Sequence, residues 1–125
     1  MELSMTNSGG PDWIGVDLDK TLAVRRKGDP IDVIGPPITS MVERVKKWVA
    51  EGKRVKIFTA RVSSLHDDAI VQRRLIEVWC HLVIGTTLEV TAEKDRFMVA
   101  LYDDLAHGVE ANTGRIKCSC PGHDA

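Results

Sequence analysis

Apolar and polar positions change rhythm along this chain in a regular order. Trp13-Ile14-Gly15-Val16 is a short apolar run that ends abruptly at Asp17-Leu18-Asp19-Lys20-Thr21, the pattern of a buried strand running into a polar exit. Further on, Ile38, Met41, Val42, Val45, Trp48 and Val49 recur at spacings of three and four, with Glu43, Arg44, Lys46 and Lys47 between them. That spacing predicts a helix with one apolar face. Gly35-Pro36-Pro37 supplies its start, and Gly52 its stop. Residues 54–59 predict a second strand that ends at Thr59, and Ala60-Arg61-Val62 turns out of it. Ser63 or Ser64 would cap a second helix over residues 65–80, with Ala69, Ile76 and Trp79 on its inner side. Residues 88–91 read as a third strand and residues 92–96 as a turn or a single helical turn. Residues 98–102 read as a fourth strand, apolar on both faces, and residues 109–111 are a candidate fifth.

Strands that alternate with amphipathic helices predict an α/β fold with a parallel central sheet covered on both faces. In such sheets ligands bind at the carboxyl ends of the strands. The polar residues gather there. The first strand ends in Asp17, the second in Thr59 and the fourth in Asp103 and Asp104, while Lys94 lies in the turn before the fourth. Asp17 and Asp19 stand two positions apart, so an extended chain points both to one side. Taken alone, the pair reads equally well as turn chemistry or as two carboxylates that need a cation or a shared proton.

Composition narrows the class. The 125 residues are 43% hydrophobic and 28% charged with a net charge of −1, which suits one soluble domain and gives no reason to expect a nucleic-acid or membrane-surface coat. No apolar run approaches the roughly 20 residues of a membrane helix, and a cytosolic location follows by default. Residues 1–11 read as a frayed, polar lead-in, residues 12–112 as the domain, and residues 113–125 as a polar tail. Cys80 lies among apolar residues and reads as a buried thiol. Cys118, Cys120 and His123 are too closely and sparsely spaced for the usual zinc site, and the tail reads as disordered. Between the first strand and the first helix, Arg25-Arg26-Lys27-Gly28-Asp29-Pro30 carries turn chemistry, a small hairpin or flap with a basic flank. The triplet is a solvated turn unless the flap overhangs Asp17.

Strand-end carboxylates suit a hard cation such as Mg²⁺, and a lysine and a hydroxyl beside it suit phosphoryl oxygens. In this order the residues resemble the four motifs of the haloacid dehalogenase superfamily of phosphohydrolases. The first is Asp17-Leu18-Asp19-Lys20-Thr21, the second is Thr59-Ala60-Arg61, the third is Lys94, and the fourth is Asp103-Asp104. The resemblance covers about residues 12–112 and implies a three-layer, Rossmann-like fold. It implies that Asp17 attacks phosphorus and that Asp19 serves as general acid and then general base. It assigns Mg²⁺ to Asp17, the backbone carbonyl of Asp19, and Asp104. Asp103 would orient Lys94, and the two aspartates of that pair are interchangeable in these roles. Thr59 and Lys94 would bind the phosphoryl oxygens, with Arg61 as a second phosphate contact. Relatives of this kind often have glycine where Lys20 stands. The segments where a cap domain would be inserted, residues 22–35 and 61–94, are short, so the expectation is a capless member. The expected activity is a Mg²⁺-dependent phosphatase acting on a phosphorylated small molecule. A phosphatase for nucleotides or nucleic-acid 3′ ends is the alternative enzyme, with Arg25, Arg26 and Lys27 along the backbone, although only 5% of residues are aromatic and base stacking would be sparse. A catalytically weak domain that binds a phosphorylated ligand or a protein is the alternative of another class. Oligomeric state is not legible.

Overall fold

The computed structural model describes residues 10–117. The lead-in before residue 10 and the Cys118, Cys120 and His123 cluster lie outside the described residues. Within them the chain runs β1 (Trp13–Val16), α1 (Thr39–Ala50), β2 (Val55–Phe58), a 3-10 turn (Ala60–Val62), α2 (Ala69–Val83), β3 (Glu89–Thr91) and β4 (Met98–Tyr102). The four strands form one sheet in the order β3-β2-β1-β4, and every neighbouring pair is parallel. This is an α/β architecture compatible with a Rossmann-like fold.

Register shows which residues share a face. Val16 lies opposite Ile57, and Ile57 opposite Val90. These three join one core with Met41, Val42 and Val45 of α1 and Ile76 and Cys80 of α2. Tyr102, in register with Val16, stacks its ring 4.9 Å from Trp48 of α1. Both helices therefore cover the same face of the sheet. The expected third layer is absent among the described residues, because the connection from β3 to β4 is too short for a helix. Trp13 fills the opposite face and is 1% exposed. Its indole donates to Asp95 Oδ1 at 2.9 Å. Lys56 Nζ sits 4.3 Å above its ring, and Phe58 packs 6.4 Å away. Gly15 makes this packing possible, since a Cβ there would approach Met98 Cε to 2.8 Å and Leu101 Cδ1 to 3.2 Å.

The helices begin later than their periodicity predicts, each for a local reason. Pro36 and Pro37 are not the first turn of α1. The Val24 N–H donates to Pro36 O at 2.8 Å, and Ala23 bridges Pro37, so the prolines close the base of the flap. At the other end of α1, Gly52 has φ +81°. Its N–H reaches Val49 O and that of Lys53 reaches Trp48 O, both at 3.0 Å, a Schellman ending. In α2 neither Ser63 nor Ser64 is the cap. Ser63 Oγ accepts from the Leu65 N–H at 3.2 Å and Ser63 O from the His66 N–H at 3.0 Å. A separate turn therefore precedes the helix, which starts after Asp68. The helix extends three residues past Cys80, before Gly85 at φ +95°. Its buried line is Gln72, Ile76 and Cys80, with Ala69 and Trp79 only half-buried. β4 is an edge strand with Val99 61% exposed, not a strand buried on both faces. The candidate fifth strand is only an isolated bridge between Val109 and Ile116.

Candidate active site

The parallel sheet brings the ends of β1, β2 and β4 to one edge. A cleft of about 440 Å³ opens there, bordered by Asp17, Asp19, Lys20, Thr59, Arg61 and Asp104, with Ile31, Ala60, His66, Asp68, Gln72 and Leu105 around them. The loop after β1 is wound tightly on Leu18 O, which accepts from the N–H groups of Thr21, Leu22 and Ala23. Leu18, Leu22 and Ala23 are fully buried. This apolar anchor holds the intervening polar residues at the sheet edge.

Asp17 gathers negative charge. One carboxylate oxygen from each of Asp17, Asp103 and Asp104 lies within 4.8 Å of the others. Thr21 ties the group together: its hydroxyl lies 3.3 Å from Asp17 Oδ2 and 3.2 Å from Asp104 Oδ1, and it accepts from the Asp104 N–H at 3.1 Å. Asp17 is pushed up to about 7, first by burial, then by its hydrogen bond with Asp104 and the charges of Asp103 and Asp104. The Thr21 hydroxyl opposes this in part. Among the described residues no lysine or arginine forms an ion pair with these three carboxylates. Crowded, unbalanced carboxylate oxygens are the donor set of a hard divalent cation, so the residues present fit Mg²⁺.

Asp19 has the opposite surroundings. Arg61 Nε reaches Asp19 Oδ2 at 2.8 Å, and its Nη2 reaches Asp19 Oδ1 at 2.9 Å. The Arg61 side chain is 3% exposed. Its Nη1 donates to Ile31 O and to Gln72 Oε1, and Nη2 also donates to Val33 O. All five guanidinium N–H groups thus have protein acceptors. Gln72, fully buried, passes the network on by donating to Asp32 Oδ1 at 2.9 Å and Asp68 Oδ2 at 3.2 Å. The flap is pinned to the cleft by this arginine.

The structure thus rearranges the residues singled out from the sequence. It brings together Asp17, Asp19, Thr59, Arg61, Asp103 and Asp104. Thr59 is buried, caps the 3-10 turn by accepting from the Arg61 N–H at 3.2 Å, and borders the cleft. Arg61 has no donor left for a phosphate, so its expected contact gives way to the ion pair with Asp19. The Asp19 carboxylate is outside the acidic cluster, leaving only its backbone carbonyl for a metal. Asp103 belongs to that cluster. Lys94, which it was expected to orient, is exposed and does not border the cleft. After Thr91 the chain turns away, and by Asp95 it is bonded to Trp13 on the helix-free face. The basic flap does not follow a ligand path through Arg25, which staples the flap by donating to the carbonyls of Asp29, Pro30 and Val33.

Lys20 and Gln72 are among the cleft residues that the sequence did not mark as binding groups. Lys20 borders the cleft with an exposed side chain at φ +72°. Only glycine adopts that region without strain, which is the physical reason glycine suits this position. Gln72 was hidden because periodicity scores apolar positions. A glutamine aligned with Ile76 and Cys80 was the available signal.

Compared with protein-family profiles, curated proteins and solved structures, the chain finds no match in any of the three. Among the described residues no helix is long and apolar enough to cross a membrane.

Proposed function

We propose that this chain is a capless, haloacid-dehalogenase-like phosphatase that hydrolyses a phosphomonoester through Asp17. The observation that carries the reading is one cleft bordered by two chemically distinct aspartates. Asp17 is crowded by Asp103 and Asp104, and Asp19 is held apart by Arg61. Asp17, Asp103 and Asp104 would hold Mg²⁺, which when bound offsets charge on the carboxylates and the phosphoryl group and favours ionised Asp17.

Ionised Asp17 attacks phosphorus, forming an O–P bond as the ester P–O bond breaks. The departing oxygen takes its proton from solvent water, because Asp19 is the ionised partner of Arg61. Asp19 then takes a proton from water, whose oxygen attacks the aspartyl-phosphate and frees Asp17 and inorganic phosphate. Arg61 fixes the direction of the Asp19 carboxyl, and each oxygen keeps a lone pair for this work. Thr59 accepts from Arg61 through its oxygen, leaving the hydroxyl proton for a phosphoryl oxygen. Lys20, bordering the cleft, takes over the phosphoryl-binding role that the resemblance assigns to Lys94.

The test is turnover of an aryl phosphate with and without Mg²⁺, beside Asp17→Asn. Mg²⁺-dependent release of phosphate that falls by about 10³-fold or more in Asp17→Asn is expected for loss of a nucleophile. Turnover equal in wild type and mutant overturns the reading.

A further inference from the structure

The cleft also carries information about the part of the substrate that leaves. Lys20 is the one lining cation with a free head group among the described residues, since Arg61 spends all five donors on Asp19, Gln72 and the flap. A divalent cation on Asp17, Asp103 and Asp104, with Lys20 added, would offset those three carboxylates before substrate arrives. The phosphoryl group then brings two negative charges, and no further lysine or arginine of the lining has a free head group for another. Asp68 stands on the same wall and repels any further anion.

Two exposed apolar side chains also border the mouth. Ile31, on the flap, is 51% exposed, and Leu105, following the acidic pair, is 80% exposed. Both border the cleft, as does Ala60. Apolar side chains that stand in water at a cleft mouth gain by covering an apolar ligand body.

We propose that the cleft selects phosphomonoesters whose leaving group presents an apolar body, aryl or bulky alkyl, and carries no further negative charge. Nucleoside di- and triphosphates and phosphorylated oligonucleotide ends are disfavoured by the same walls. This inference rests on the phosphotransfer reading above.

Phosphonates, which are not hydrolysed, separate binding from the reactivity of the leaving group. The full chain with Mg²⁺ is titrated calorimetrically with methylphosphonate, benzylphosphonate and 4-carboxybenzylphosphonate. Benzylphosphonate is expected to bind at least tenfold more tightly than methylphosphonate, and the added carboxylate to cost at least tenfold. Leu105→Ser and Ile31→Ser should each shrink the benzyl-to-methyl ratio about fivefold, and Asp68→Asn should recover part of the affinity lost to the carboxylate. Equal binding of the benzyl and methyl compounds, or carboxybenzyl binding as tight as benzyl, overturns the selection rule and leaves the phosphotransfer reading standing. If methylphosphonate neither binds nor competes with inorganic phosphate in the presence of Mg²⁺, the phosphotransfer reading falls and this inference falls with it.

Discussion

Asp17 and Asp19 are two positions apart, yet the protein treats their charges in opposite ways. Asp19 meets a buried arginine that grips both of its oxygens. Asp17 meets two more aspartates and a hydroxyl. One carboxylate is neutralised within the fold, and the other has no lysine or arginine partner among the described residues. The difference separates a pair that is alike in sequence into a clamped carboxylate and a crowded one. Stability is supplied at the first and withheld at the second.

The largest effect is expected from breaking the neutralised half. Arg61→Met leaves the Asp19 carboxylate, Gln72 Oε1 and two flap carbonyls without their donor, and should cost about 3–5 kcal/mol in urea unfolding. Arg61→Lys should recover only a small part, because an ammonium cannot fork across both oxygens. A variant as stable as wild type would mean that the flap and Asp19 are held by something else.

The second effect probes the half that needs a cation. Mg²⁺ at one hundred times its dissociation constant should raise the unfolding free energy by about 2.7 kcal/mol. Asp104→Asn and Asp103→Asn should lose that gain, and Lys94→Ala should keep it with unchanged turnover. A Lys94→Ala variant that loses phosphate affinity would restore that lysine to the site.

The third effect is a pH dependence in cation-free protein. The Asp17 carboxyl is raised in the folded state, so the folded protein holds its proton where the unfolded chain has released it. Its contribution to stability is fully present below about pH 4 and is lost as pH rises through about 7. Discounted for partial exposure, the loss is on the order of 1 kcal/mol. Asp17→Asn should therefore unfold at higher denaturant than wild type at pH 8 without cation, with the difference vanishing near pH 4. A constant difference across that range would remove the crowding argument.

The smallest effect concerns Lys20. Lys20→Gly relieves a left-handed backbone and should change stability by no more than about 1 kcal/mol, in the stabilising direction. It should also weaken inorganic phosphate binding severalfold. Phosphate binding as tight as wild type would remove Lys20 from the phosphoryl site.

Much of this was legible in order along the chain. The apolar run before Asp17, the face of α1 and the strand ending at Asp103 are periodic signals, and periodicity is what a sequence reports well. The strand-end rule then brought Asp17, Thr59, Asp103 and Asp104 to one edge. Pairing partners were not legible. That Arg61 is saturated, that Asp19 leaves the acidic cluster, and that Lys94 departs with the β3–β4 connection all depend on where side chains meet across forty or eighty positions. The missing third layer was hidden for a related reason. A strand that ends a sheet and a strand inside it have similar apolar composition, and only the length of residues 92–97 argued against a covering helix.

The strand order has a consequence for how the protein comes into being. A sheet with no antiparallel pair has no hairpin to start from, and its central strand waits on both flanks for partners far along the chain. Thr21 and Asp104 meet across 83 positions, whereas Arg61 joins Asp19 across 42. During synthesis, which proceeds from the N-terminus, the arginine clamp can close while β4 is still inside the ribosome. The acidic corner has no existence until that last strand docks. The crowding of Asp17 is thus postponed to a slow, long-range step of folding, and a nascent chain carries this aspartate without the two carboxylates that surround it in the finished fold.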